Sequence, residues 1–185
     1  SAMGFDIKQT LTDVNSRVQE LQTEYNEVFF KLGSALESEG IYVVNEGMLT
    51  AGQAAFASSY FAEKIRPSLV PIMVGQGVPF PELKDGTIYL AIALNVSENG
   101  KKKVRYAVIE VPVHLPRFVV LPPDAGGEYV MFIEDVIRLE LGKVFALFKP
   151  ESVEVHAIKV TRDAEIDVDD DLSRSLMEKM SPGVA

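Results

Sequence analysis

The chain has 185 residues, 47% of them hydrophobic and 24% charged, a balance typical of a soluble globular protein. The formal net charge of −9 disfavours nucleic acid and anionic lipid as partners. The absence of cysteine excludes disulfides, thiol catalysis and cysteine metal sites, and it fits a cytoplasmic location. No apolar run approaches the roughly 20 residues that span a bilayer.

The first segment predicts one long helix. Residues 1–3 look like the remainder of a cleaved expression tag, and we expect residues 4–185 to form a single domain. The helix is expected to run to Leu36 and to stop at Gly40. Its heptad seam favours packing across the domain and contact with a partner chain equally. The seam comprises Ile7, Leu11, Val14, Val18, Leu21, Tyr25, Val28 and Leu32.

A short strand and a second helix are predicted next. Residues 41–44 are apolar and mostly β-branched, a composition that favours a strand. Thr50 and Gln53 have the spacing of a capping box, so a helix should begin there. Pro67 should end or bend that helix because its ring does not fit a helix interior.

The middle of the chain predicts β-structure. Residues 88–96 and 104–111 are two strand-like runs, and residues 97–100 between them have the composition of a hairpin turn. A third strand is expected over residues 117–121. It should close at Pro122, because proline donates no hydrogen bond to a sheet.

The last third of the chain mixes helix and strand patterns. Residues 129–133 predict a short strand or the entry to a helix, and residues 134–148 predict the helix itself. Residues 153–160 predict a final strand and residues 172–180 a final helix. Because the elements do not alternate as βαβ units, the expected class is α+β, with a mixed or mostly antiparallel sheet and packed helices.

Acidic residues near the end of the chain approach a calcium-loop pattern without meeting it. Asp167, Asp169, Asp171 and Glu178 hold the first, third, fifth and twelfth places, but Leu172 stands where glycine is required. Aspartates at a helix start instead cap free amides. The glycine-rich turns also lack the following lysine of a phosphate loop. We therefore expect no metal site and no cofactor site in this chain.

Three features leave alternatives open. His114 lies in a proline-flanked loop and His156 on a predicted strand, and neither has a neighbouring nucleophile or a paired histidine. The basic residues 101–105 suit either a solvated hairpin flank or a site for a polyanion such as a phosphate chain. A small phosphotransfer enzyme using either histidine and a stand-alone polyanion-binding module are therefore alternative functions.

A charged pentad follows the last predicted strand at residues 161–165. Its charged members are Arg162, Asp163 and Glu165. An Arg fork between two carboxylates suits a local salt-bridge cluster that fixes the strand exit. It suits equally a docking junction to a following domain or to a neighbouring subunit.

The order of these segments resembles the middle, or head, domain of bacterial polyphosphate kinase. The resemblance covers nearly the whole chain after the first three residues. It is carried by the long first helix followed by Ile41-Tyr-Val-Val-Asn-Glu46, Arg66-Pro-Ser-Leu-Val-Pro-Ile72, Tyr89-Leu-Ala-Ile-Ala-Leu94, Tyr106-Ala-Val-Ile-Glu-Val-Pro112, Pro116-Arg-Phe-Val-Val-Leu-Pro-Pro123, Thr161-Arg-Asp-Ala-Glu165 and Leu176-Met-Glu178.

This resemblance implies a non-catalytic domain of a larger transferase. In that family an N-terminal domain helps to hold ATP, the head domain takes part in dimerisation, and two C-terminal domains carry a phosphorylated histidine. The enzyme moves the terminal phosphate of ATP reversibly onto inorganic polyphosphate, using magnesium. No catalytic motif of the family matches a position here, so the resemblance implies that the fragment alone is inactive.

The same resemblance implies the partners. They are a second copy of the parent, as a dimer or dimer of dimers, the flanking domains, and polyphosphate as the parent's substrate, with no nucleic acid. The parent is expected in the cytoplasm, free or at the membrane periphery. The residues expected at an interface or a domain junction are Leu21, Val28, Arg162, Asp163 and Glu165.

Overall fold

The computed structural model describes residues 7–75, 80–98 and 100–161. Within these ranges the chain forms three α-helices and seven β-strands, and the predicted α+β class is confirmed. In chain order they are α1 Ile7–Ser38, β1 Ile41–Val44, α2 Ala51–Tyr60, β2 Pro71–Val74, β3 Ile88–Glu98, β4 Lys101–Glu110, β5 Phe118–Asp124, β6 Gly127–Phe132, α3 Ile133–Val144 and β7 Ser152–Lys159. The predicted final helix and the pentad residues Arg162, Asp163 and Glu165 lie outside the described residues.

Helix α2 begins as its sequence predicts. Thr50 Oγ1 accepts a hydrogen bond from the Gln53 backbone N–H at 3.3 Å, and Gln53 Oε1 accepts from the Thr50 N–H at 3.1 Å. This reciprocal pair satisfies two amides that the first helical turn leaves free. The helical run continues through a π-helical turn, Phe61–Ile65, and ends in a 3₁₀ turn, Arg66–Ser68, which contains Pro67.

The larger sheet has four antiparallel strands in the order β2-β4-β3-β7. Strands β3 and β4 form the predicted hairpin, with Tyr89 opposite Glu110 and Glu98 opposite Lys101. Gly100 has φ of 72°, a left-handed conformation that glycine adopts without steric cost. Along β3 the even-numbered side chains from Leu90 to Val96 are buried and the intervening ones are half-buried. One face of this sheet therefore contacts the core, and the other faces outward.

The smaller sheet has three strands in the order β1-β6-β5, with β1 parallel and β5 antiparallel to β6. The prediction that β5 closes at Pro122 is wrong, because the strand runs on to Asp124. The pairing with β6 is irregular between Leu121 and Asp124, and β5 is an edge strand. The two prolines lie in this irregular stretch, so no regular ladder bond requires their missing N–H groups.

Gly127 allows β1 and β6 to approach closely. A Cβ at residue 127 would lie 2.6 Å from the Tyr42 ring, closer than side chains tolerate. The Tyr42 ring in turn stacks on Tyr129, with centroids 5.0 Å apart. Packing thus requires a glycine at residue 127, and β6 begins at Gly127 rather than at the predicted residue 129.

One hydrophobic core joins both sheets to α2 and α3. The inner face of the larger sheet contributes Leu90, Ile92 and Leu94, and the smaller sheet contributes Val119 and Met131, all at most 3% exposed. The helices contribute Ala57, Phe61, Ile65, Val136, Ile137, Leu141 and Phe145. Among the described helices, none is both long and apolar enough to cross a membrane.

Candidate functional site

Helix α1 stands outside this core. Its 32 residues extend for about 48 Å at 1.5 Å per residue. From residue 8 to residue 38 every residue is exposed except Gly33 and Leu36, which are half-buried. The helix therefore meets the rest of the described structure only near its C-terminal end, and the intradomain alternative for its seam does not occur among the described residues.

The seam of α1 is an exposed apolar stripe. Its described side chains are between 48% and 67% exposed, and Leu21 and Val28 lie within it at 48% and 64%. Phe29 lies beside the seam, and its ring stacks on Tyr25 with centroids 6.3 Å apart. The stripe comprises Leu11, Val14, Val18, Leu21, Tyr25, Val28 and Leu32. The structure thus places two of the predicted interface residues on one accessible surface.

A cavity of about 300 Å³ lies where α1 joins the smaller sheet. Phe30 and Leu36 of α1 form one side, and Val43 of β1 lies beside them. Phe118 and Phe132 form the other side, with ring centroids 4.9 Å apart. The apolar surface of α1 therefore continues onto the edge of the smaller sheet.

The two histidines lie in different places. His114 is exposed, and its Nε2 is 3.1 Å from Ser68 Oγ at the rim of a cavity that Lys84 and Glu110 also line. Lys84 Nζ lies 2.8 Å from Glu110 Oε1, and this bond raises the pKa of Lys84. His156 is exposed on β7, opposite Ala91, and lines another cavity. The structure does not bring the two imidazoles into one site.

The basic residues after the hairpin turn are partly neutralised by one carboxylate. Glu98 Oε1 lies 2.5 Å from Arg105 Nη2, and Glu98 Oε2 lies 2.9 Å from Lys103 Nζ. These bonds lower the pKa of Glu98, because both cations favour its charged form. Lys101 and Lys102 remain exposed. This arrangement fits the solvated hairpin flank better than a polyanion site.

The sequence analysis missed two buried carboxylates on α3. Glu134 is 6% exposed and bonds Arg117, while Glu140 is 3% exposed and accepts a hydrogen bond from Ser58 Oγ of α2. Lys143 Nζ is 2.7 Å from Glu140 Oε2, although that oxygen accepts no hydrogen bond of good geometry. At this distance Glu140 and Lys143 form an ion pair.

The position of Glu140 could have been found in the sequence. Val136, Ile137 and Leu141 mark the apolar face of α3, and Glu140 falls on that face by helical spacing. Within residues 7–75, 80–98 and 100–161, no group of three or more His, Asp or Glu side chains is placed to hold a metal ion. Both carboxylates instead link α3 to neighbouring elements.

The fold and these surfaces define the class of protein. It is an α+β domain built on two sheets, with exposed apolar surfaces on α1 and at the edge of the smaller sheet. The family model described as the polyphosphate kinase middle domain matches residues 52–185. The chain therefore belongs to the polyphosphate kinase family and corresponds to its middle domain, which confirms the resemblance.

Individual relatives agree with this assignment. The chain is 31% identical over 98% of its length to the polyphosphate kinase of Vibrio vulnificus strain YJ016, and 29% identical over 94% to that of Escherichia coli K12. It is similar to the crystal structure of polyphosphate kinase from Porphyromonas gingivalis, with a TM-score of 0.75, 26% identity and 95% of this chain covered. The chain spans about a quarter of the curated relatives, 26% and 25% in the two cases, and 29% of the solved chain.

Proposed function

We propose that this chain is the non-catalytic head domain of a polyphosphate kinase, and that it contributes to dimerisation and positions the domains that bind ATP and transfer its terminal phosphate to polyphosphate. The relatives it matches are named polyphosphate kinases, and it spans about a quarter of their length. The observation that carries the proposal is the exposed heptad seam of α1.

The seam supports an assembly role on energetic grounds. Burying a Val or Leu side chain gains about 1.5–3 kcal/mol, so leaving seven apolar seam residues in water forgoes a substantial stabilisation. Most helices in proteins are stabilised by packing an apolar face rather than by intrinsic propensity. A partner that covers the seam would therefore stabilise both α1 and the assembly.

A second copy of the parent suits this seam. A stripe repeating in steps of three and four inserts its side chains between those of an identical stripe, and paired identical surfaces generate a twofold symmetric dimer. The cavity between α1 and Phe118 extends the apolar surface onto the domain body. That extension would fix the angle of α1 relative to the sheets, and so the relative placement of the flanking domains.

The proposal also assigns the chemistry to other domains of the parent. ATP and magnesium bind there, polyphosphate is the parent's substrate, and this domain alone is inactive without a cofactor of its own. The parent works as a dimer or dimer of dimers in the cytoplasm, free or at the membrane periphery. These statements are part of the proposal, and the family to which the chain belongs supports them.

The seam is tested in the full-length parent by replacing Leu21 and Val28 with Asp. Carboxylates at these positions cannot be buried in an apolar contact without a large cost, so the molar mass from light scattering should fall. The matched control replaces Gln19 and Asn26, which lie off the seam on the same helix, with Asp. A folded Leu21→Asp, Val28→Asp protein with the mass of the control would refute the dimer role.

The inactivity of the domain is tested on the 185-residue chain itself. After incubation with ATP, magnesium and a polyphosphate primer, we expect neither elongated polyphosphate chains nor phosphorylated protein. Phosphorylation that disappears in His114→Ala or His156→Ala would instead establish the phosphotransfer alternative.

A further inference from the structure

The exposed seam of α1 carries valines and larger side chains in an order that complements itself when the helix is reversed. The central part of the seam consists of Leu11, Val14, Val18, Leu21, Tyr25 and Val28. Along the chain the sizes run large, small, small, large, large, small. In the opposite direction they run small, large, large, small, small, large. A seam with this order is suited to pack against a reversed copy of itself, because facing positions then differ in size.

An antiparallel pair of α1 helices puts one valine and one larger residue in each central layer. In the register where Val18 faces Leu21 of the second copy, equal steps along both helices fix the remaining contacts. The layers are Val18 with Leu21, Val14 with Tyr25, and Val28 with Leu11, each formed twice about a twofold axis. Such layers have similar total volumes, so the two helices can pack closely along the whole seam.

A parallel pair would pack the same seam unevenly. Each residue would face its own copy, so Tyr25 would meet a second Tyr25 and Val14 a second Val14. Two valines in one layer leave space unfilled, and two tyrosines in another force the helices apart. The sizes of the seam residues therefore favour the antiparallel orientation.

The charges beside the seam favour the same orientation. Arg17 precedes Val18 and Glu24 precedes Tyr25, so both lie on one flank of the seam. In an antiparallel pair this flank meets the same flank of the second copy, and Arg17 lies only about 3 Å along the helix axis from the second Glu24. Glu24 has no ion pair among the described residues, and Arg17 contacts only Glu20 of its own helix, at 2.8 Å. The pair would gain two ion pairs across the contact.

A parallel pair would not form these ion pairs. The flank with Arg17 and Glu24 would then meet the opposite flank of the second copy. Beside these two residues that flank carries Asn15, Gln22 and Phe29, none of which is charged. Charge and size therefore give the same answer from different residues.

We propose that two copies of the chain pair their α1 helices antiparallel, with the twofold axis midway between residues 18 and 21. This inference deepens the assembly role proposed above and rests on it. At 1.5 Å per residue, the ends of the two helices at Ser38 lie about 55 Å apart. The two sheet-containing bodies therefore lie at opposite ends of the helix pair, whereas a parallel pair would hold them side by side.

The absence of cysteine from the chain allows a direct test by disulfide trapping. The 185-residue chain carrying both Val14→Cys and Tyr25→Cys should form a disulfide-linked dimer under mild oxidation, because the two positions face each other in the antiparallel pair. The matched controls are the two single variants. In each of them the identical thiols lie about 16 Å apart along the axis, so we expect at least about tenfold less linked dimer. The same separation along one helix prevents a disulfide within a chain.

The outcomes separate the orientation from the seam contact itself. Linked dimer from the single variants at the rate of the double variant would show parallel pairing, which overturns the orientation and leaves the seam contact intact. No linked dimer from a chain that light scattering shows to be dimeric would overturn the orientation as well. No linked dimer from any variant, together with a monomeric mass for the unmodified chain, would refute the seam contact and with it the proposed function.

Charge reversal gives an independent measurement by analytical ultracentrifugation. Glu24→Lys should raise the dissociation constant of the dimer about fivefold at low salt, because like charges then meet across the seam. Adding Arg17→Glu should restore most of the affinity, since opposite charges face each other again. The matched control is Glu27→Lys, which makes the same change in net charge on an exposed residue pointing away from the seam and should change the constant less than twofold. A double variant that dimerises no better than Glu24→Lys would contradict the antiparallel pairing.

Discussion

Arg117 Nη2 lies 2.6 Å from Glu134 Oε1, and this ion pair links the residue before β5 to the first turn of α3. The Arg117 carbonyl also accepts a hydrogen bond from Ile133 N–H at 2.8 Å. Glu134 Oε2 is buried and has no hydrogen-bond partner among the described residues. The carboxylate is therefore held by one guanidinium and by the favourable dipole at the start of the helix.

Replacing Arg117 with Met should destabilise the domain by about 1–2 kcal/mol, because it leaves a buried carboxylate without its cation. Arg117 itself is about half exposed, so the cost should fall below that of a fully buried pair. Urea unfolding of the 185-residue chain measures the difference. Adding Glu134→Gln to Arg117→Met should recover part of the loss, and an unchanged midpoint for Arg117→Met alone would contradict the argument.

Asp135, the next residue of α3, should make stability depend on pH. Burial raises its pKa above the ordinary value of 3.8, the nearby Arg138 opposes that shift, and Glu46 and Glu134 reinforce it. A carboxyl whose pKa is higher in the folded state stabilises the fold most when protonated. That contribution is complete below 3.8 and is lost as the pH rises through the folded pKa.

Comparison with Asp135→Asn, which stays neutral at every pH, isolates this effect. The free energy of unfolding of the unmodified chain, relative to Asp135→Asn, should increase as the pH falls from neutral towards the ordinary aspartate value. Chemical denaturation at several pH values measures it. A difference that stays constant, or that runs in the opposite direction, would show that burial does not dominate at Asp135.

The contact between α2 and α3 provides a paired test of a buried hydrogen bond. Ser58 Oγ donates to the buried carboxylate of Glu140, whereas the neighbouring Ser59 Oγ donates to Glu63 at an exposed site. Ser58→Ala should cost about 1–2 kcal/mol, because Glu140 loses a partner that water cannot easily replace. Ser59→Ala should change the free energy of unfolding by less than about 0.5 kcal/mol. Equal unfolding midpoints would show that the buried bond contributes little.

The features that the sequence predicts correctly are those determined by residues close together in the chain. The periodicity of α1, the Thr50 and Gln53 capping box and the β3–β4 hairpin each depend on signals within a few residues, and each is confirmed. The prediction for the end of β5 is wrong because the length of this strand depends on its place at the edge of the sheet. An edge strand with irregular pairing tolerates proline. The order of the strands in the sheet cannot be read from neighbouring residues in the sequence.

The exposed apolar surfaces were predictable only in part. The seam of α1 could be found by its spacing, but its exposure depends on what the rest of the chain leaves uncovered. The cavity that His156 lines could not be found, because Ala91 and Ala93 line it only once β4 and β7 are known to flank β3. The partial neutralisation of residues 101–105 likewise depends on the hairpin register that brings Glu98 to them.

Glu98 should limit the affinity of the hairpin for phosphate chains. Because it pairs with both Lys103 and Arg105, Glu98→Gln would leave these cations free to contact a polyanion. We expect Glu98→Gln to bind polyphosphate a few-fold more tightly at low salt, with a steeper loss of affinity as salt rises, since more counterions are displaced. Fluorescence anisotropy with labelled polyphosphate at two salt concentrations measures both quantities.

The matched control is Glu128→Gln, which makes the same change in net charge on an exposed residue of β6 in the other sheet. Tighter binding by Glu98→Gln but not by Glu128→Gln would show that the effect is local to residues 101–105. Equal binding by the two variants would mean that affinity follows net charge alone. The basic residues after the turn would then be a solvated flank of the hairpin, and contact with polyphosphate would have to be sought elsewhere in the parent.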